Sequence, residues 1–152
     1  MRLEGPLLGG ALALCLLSAP AAADLVIEEI VDGTVNSQPK WVELVNTGSE
    51  CVFLGDYELC NYNNGSFVPS GCSQLNDVFL APGASYVFAY EPEGNTACSP
   101  TMTCFEFVYG FEPDQNGGAS INGDDVVALR DSASQAVLDV YGVIGVDGTG
   151  EV

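Results

Sequence analysis

Trp41-Val-Glu-Leu-Val45 decides the fold class of this chain. Aromatic and β-branched residues around one carboxylate suit a strand with one buried and one wet face, and Trp41 is read as core. Runs of the same kind recur on both sides, at residues 24–31, 51–54, 57–62, 77–80, 85–90, 104–109, 125–129 and 136–141. Nine strands of four to eight residues at near-regular spacing, rich in Val, Tyr and Phe, predict an all-β antiparallel sandwich or barrel. No stretch after residue 23 has helical periodicity, and Cys104-Phe-Glu-Phe-Val-Tyr109 alternates like a strand. The expected core includes Val26, Trp41, Leu44, Leu54, Leu59, Val87, Val127, Leu129 and Val140.

The residues between the runs are turn formers. Asn64-Gly65 signals a hairpin, because a type I′ turn needs positive φ at both central positions. Ala81-Pro82-Gly83 makes a second turn, and residues 131–135 join the last two runs. There is no internal repeat, linker or low-complexity segment, so residues 24–152 are read as one domain.

The first 23 residues have a different character. Met1-Arg2 precedes an apolar run from Leu7 to Leu17, and Ala21-Ala22-Ala23 offers a small-residue cleavage site before Asp24. This pattern predicts a signal peptide at 1–23 and a secreted, extracellular chain. A bilayer span needs about 20 apolar residues, so no membrane insertion of the mature chain is expected.

Cleavage there removes Arg2 and Glu4 and leaves 20 carboxylates against Lys40 and Arg130, so the net charge stays at −18. Such a surface repels polyanions, which excludes nucleic acid as a partner. Histidine is absent, which excludes Ser-His-Asp triads, Cys-His pairs and His-containing zinc sites. Carboxylate-only hydrolysis needs two acids in contrasting environments, and the scattered acids single out no pair. Asp32-Gly-Thr34 and Asp147-Gly-Thr149 are turns in the wrong order for an aspartic protease. Gly117-Gly118 lacks the lysine and the helix of a phosphate loop. The chain is therefore expected to be no enzyme and to need no cofactor.

Five cysteines follow the leader: Cys51, Cys60, Cys72, Cys98 and Cys104. Export favours disulfides. Cys98 and Cys104 bracket a short loop and are expected to bond. Cys60 and Cys72 flank the Asn64-Gly65 hairpin, and with Cys60 near the position opposite Pro69, modest bending would join them. Cys51 is left over, free or paired outside this segment. No C-x-x-C pair supports a zinc site.

In sequence order, Leu25-Val-Ile-Glu-Glu-Ile-Val31, Trp41-Val-Glu-Leu-Val-Asn-Thr-Gly48, Val52-Phe-Leu-Gly-Asp-Tyr-Glu-Leu59, Leu80-Ala-Pro-Gly-Ala-Ser-Tyr-Val-Phe88, Ile121-Asn-Gly-Asp-Asp-Val-Val-Ala-Leu129 and Val137-Leu-Asp-Val-Tyr-Gly-Val-Ile-Gly145 resemble the lamin tail domain family, in particular its secreted microbial and algal members. The resemblance implies an immunoglobulin-like β-sandwich and a non-catalytic module, secreted or on the cell surface, that binds or supports other molecules. Protein or glycan are the partners it allows. The alternative is an accessory domain of a secreted nuclease, phosphatase or other hydrolase whose catalytic part lies beyond Val152. Lamin tail domains usually continue past a segment like Val146-Asp-Gly-Thr-Gly150, so a chain truncated at its C-terminus is expected.

Calcium has one candidate stretch, Asp114, Asn116, Asp124 and Asp125, because calcium takes six to eight oxygen ligands. EF-hand spacing fails there, since Ala119 stands where that loop needs glycine, and the resemblance makes residues 122–125 a turn entering a strand. The turn reading is favoured, and no metal site is expected. Asn64-Gly-Ser66 is a glycosylation sequon at a hairpin tip. Tyr57, Tyr62, Tyr86, Tyr90, Phe105 and Phe107 offer an aromatic face for glycan or protein, although a sandwich buries most of them in its core.

Overall fold

A computed structural model describes residues 25–35, 38–91, 98–117 and 121–148; the leader expected at 1–23 lies outside them. Ten strands occur among the described residues: β1 (Leu25–Val35), β2 (Gln38–Asn46), β3 (Val52–Phe53), β4 (Tyr57–Tyr62), β5 (Gly71–Gln74), β6 (Phe79–Leu80), β7 (Ser85–Ala89), β8 (Gln115–Asn116), β9 (Val126–Asp131) and β10 (Val137–Tyr141). They form two four-stranded sheets, β1-β2-β7-β8 and β10-β9-β4-β5, with β3 and β6 as a small third ladder. Every pairing is antiparallel except β7 with β8. The architecture is the expected immunoglobulin-like sandwich, with ten strands in place of about nine.

The period of two along each strand sorts side chains between faces. Val42 and Leu44 of β2, Tyr86 and Phe88 of β7, Leu59 of β4, and Val127 and Leu129 of β9 share one core cluster with Leu54 and Leu80. The alternate residues form smaller clusters: Cys60, Tyr62, Val126 and Ala128 in one, Trp41, Ala89 and Phe105 in the other. Trp41 is buried as expected, but it packs in this separate cluster and not with Leu44. Gly117 donates its N–H to the Ala89 carbonyl (2.9 Å) directly over Phe88, where any Cβ would strike the ring.

Three expected core residues are corrected. Val140 is exposed because β10 is an edge strand, paired along one side with β9. Val26 and Val87 are half-buried, and Val87 packs against the Trp41 cluster. A fourth correction concerns residues 104–109, which form a helix, α1 (Cys104–Tyr109), and not a strand.

The turn chemistry follows the sequence. Asn64 and Gly65 both have positive φ (52° and 70°), and Ser66 N–H closes the turn on the Asn63 carbonyl at 3.1 Å. β5 resumes at Gly71, so Cys60 faces Cys72 directly and not Pro69. These two cysteines are bonded, as are Cys98 and Cys104. Cys51 is disulfide-bonded as well, which removes the free-thiol alternative.

Asn46, at the end of β2, is fully buried. Its Nδ2 donates to the Glu50 carbonyl at 2.7 Å and to the Leu80 carbonyl at 2.9 Å, while its Oδ1 accepts from Gly48 N–H at 3.0 Å. One amide therefore holds the 47–50 turn against β6. Lys40 and Arg130 are both buried as well. Lys40 pairs with Asp32 at 3.0 Å and donates to the Ile121 carbonyl; Arg130 pairs with Glu58 at 3.0 Å.

Candidate functional site

The outer face of the β1-β2-β7-β8 sheet carries a cleft of about 380 Å³ lined by Glu29, Val31, Trp41, Glu43, Val87, Phe105, Tyr109 and Phe111. Its floor follows from strand periodicity. Trp41 and Glu43 alternate with the core residues Val42 and Leu44, and a bulge between Ile27 and Glu29 brings Glu29 and Val31 to the same face. Register sets Trp41 between Val31 and Ala89, and Glu43 between Glu29 and Val87.

The wall is α1, and local chemistry explains why six residues with a strand-like pattern become helix. Thr103 caps the N-terminus, its Oγ1 accepting from Glu106 N–H at 3.0 Å. Gly110 ends the helix in the left-handed region (φ 78°) and returns its N–H to the Glu106 carbonyl. The buried Glu91 carboxylate accepts from Phe105 N–H at 3.2 Å, a favourable placement for an anion beside free helix amides. The bond to Cys98 anchors the first helical residue.

So fixed, α1 lays Phe105 edge-on to Trp41, with ring centroids 6.1 Å apart and planes at 83°. Tyr109, one turn later, stands at 88° to Trp41 and accepts a hydrogen bond from its Nε1 at 3.1 Å. Phe111 packs edge-to-face on Phe105 at 5.2 Å. Such contacts add about 0.5–1.5 kcal/mol each beyond area burial. Yet Tyr109 and Phe111 are 40% and 55% exposed, and Phe107 beside them is 57% exposed.

The lamin tail domain model matches residues 18–145, well over half of the chain. The chain belongs to the lamin tail domain family. None of the curated proteins compared with it matches. Membership makes this lamin tail domain an immunoglobulin-like module of a generally non-catalytic kind.

Three of the four calcium candidates of this lamin tail domain occupy separate structural posts. Asp114 Oδ2 accepts from Val87 N–H at 2.8 Å, Asn116 lies in β8 beside Ala89, and Asp125 closes the turn into β9 by accepting from Asn122 N–H at 2.9 Å. Burial pushes the Asp125 carboxyl above the usual carboxylate range. Asp114, Asp124 and Asp125 do not converge within ligand distance of one another among the described residues. The acid and two cysteines that do converge, Glu58 with Cys60 and Cys72, are an ion-paired carboxylate and a disulfide. Asn64 is exposed at its hairpin tip.

Of the six aromatics read as a possible face, Tyr62, Tyr86, Tyr90 and Phe105 are buried, Tyr57 is half-buried and Phe107 is exposed. The rings that do gather at the cleft surface, Tyr109 and Phe111, and the two glutamates were missed. Thr103-x-x-Glu106 followed by Gly110 was the available signal, being a helix start and stop around an i, i+4 aromatic pair.

Proposed function

We propose that this lamin tail domain is a non-catalytic binding module of the secreted microbial and algal type, working outside the cell or on its surface. Its contact surface is the aromatic cleft over the first sheet, and its partner is a protein or a glycan. The observation that carries this reading is the cleft itself: rings held rigidly by a cap, a disulfide and a buried carboxylate, yet left open to solvent. Core packing alone gives no reason to leave them open, whereas large, rigid aromatic side chains give contact area at low entropic cost. The predicted leader and the disulfides support export.

The test uses peptide and glycan arrays probed with the intact domain and with a Phe111→Ser variant. Ligands retained by the first and lost by the second support the reading. Retention that ignores the substitution overturns it.

A further inference from the structure

Glu29 and Glu43 stand directly opposite each other on adjacent strands, and both line the aromatic cleft. Like charges at directly opposed positions destabilise a sheet. Both basic side chains among the described residues are committed elsewhere, Lys40 to Asp32 and Arg130 to Glu58. The sheet thus carries an uncompensated anionic pair beside a tryptophan, a tyrosine and two phenylalanines.

Resting on the reading of this cleft as a binding surface, we infer that it takes the cationic end of a lysine or arginine side chain, presented by a basic segment of a protein partner. A cation over aromatic rings gains from their quadrupoles, most with tryptophan. Between Glu29 and Glu43 it also removes their mutual repulsion. A neutral glycan does only part of this, and an anion is repelled. The cleft, about 380 Å³, lies at the small end of ligand sites and suits one side chain. A net charge of −18 steers basic partners toward the domain, an attraction that weakens as salt rises.

Trp41 is the chain's single tryptophan, so its emission reports the cleft directly. The intact chain is titrated with hexalysine, with the same peptide acetylated on every side-chain amine, and with a neutral hexasaccharide. Saturable change with hexalysine alone is expected. Glu29→Gln with Glu43→Gln should weaken binding about tenfold, and Phe111→Ala by a similar factor. Asp56→Asn with Asp77→Asn, the same charge change at residues that line no part of the cleft, should leave affinity within about twofold. The double glutamine variant should melt no lower than the unaltered chain, because a repulsive pair has been removed.

Equal response to the acetylated peptide overturns the inference. So does equal weakening by the distant pair, which would mean bulk attraction, or a lower melting temperature for the glutamine variant. A Trp41 response to the hexasaccharide alone overturns the cation while leaving the binding module standing. No response to any probe overturns both.

Discussion

Replacing Asn46 tests whether the seating of the 47–50 turn against β6 depends on one buried amide. Asn46→Ala removes two donors and an acceptor, leaving the Glu50 and Leu80 carbonyls and Gly48 N–H without them. A hydrogen bond is worth about 1 kcal/mol net, and the vacated space at a fully buried position adds to the loss. Water can replace the two part-buried bonds but not the buried bond to Leu80, so the expected cost is about 2–4 kcal/mol. Asn46→Asp keeps the shape and sets an oxygen against two carbonyl oxygens. Desolvation then raises the introduced carboxyl's pKa in the folded state above its unfolded value near 3.9. The unfolded chain releases that proton while the folded chain keeps it, so the variant loses stability, relative to the unaltered chain, as pH climbs from about 4 to 7. Urea unfolding followed by Trp41 emission at both pH values measures these effects. A loss below about 1 kcal/mol for the alanine variant, or an aspartate variant no weaker at pH 7 than at pH 4, would refute the reasoning.

Other outcomes follow from the same structure. Thr103→Ala should loosen α1 by about 1 kcal/mol, read as faster exchange of the Phe107 and Gly110 amides; unchanged exchange would deny the cap its role. Serine at both Cys98 and Cys104 should lower stability by about 2 kcal/mol, since the closed loop is short, and should weaken the Trp41–Tyr109 contact seen in near-ultraviolet dichroism. Burial holds the Tyr90 phenol far above its ordinary ionisation range, and its hydroxyl has no partner among the described residues. Tyr90→Phe should therefore be neutral or gain about 1 kcal/mol at pH 7. Above pH 10 the unfolded phenol ionises while the folded one does not, so the unaltered chain declines more steeply than the variant, which keeps only the contributions of Tyr57 and Tyr86; a variant markedly less stable at pH 7 would contradict this. Equal millimolar calcium and magnesium should shift the melting temperature equally. A calcium-selective rise, about 2.7 kcal/mol at 100 times the dissociation constant, that disappears in Asp124→Ala with Asp125→Ala would restore the metal site.

Much of the sandwich was legible because strand periodicity and turn chemistry are local. The Asn64-Gly65 turn and eight of the nine expected runs stand in the structure as strands. β5 and β8 were not, since Gly71–Gln74 and Gln115–Asn116 have little β character and pair because neighbouring strands offer free edges. Alternation at Cys104–Tyr109 pointed to a strand, but Thr103 and Gly110 fix both helix ends, and the cap outweighs a six-residue pattern. The cleft stayed hidden for a related reason. Its glutamates are 14 residues apart in sequence, and the bulge that sets them opposite leaves no trace in composition.

The burial of both basic side chains has a further consequence for proteolysis. A protease that cuts after lysine or arginine finds two target bonds among the described residues, Lys40-Trp41 and Arg130-Asp131. Each basic residue lies in a strand flanked by partners on both sides, β2 between β1 and β7, β9 between β10 and β4. Such a protease must draw several residues of extended chain into its groove, so each bond is reached only after its strand has parted from both neighbours. Cleavage of this class therefore waits on the opening of a sheet, and the rate of trypsin digestion becomes a gauge of that opening equilibrium.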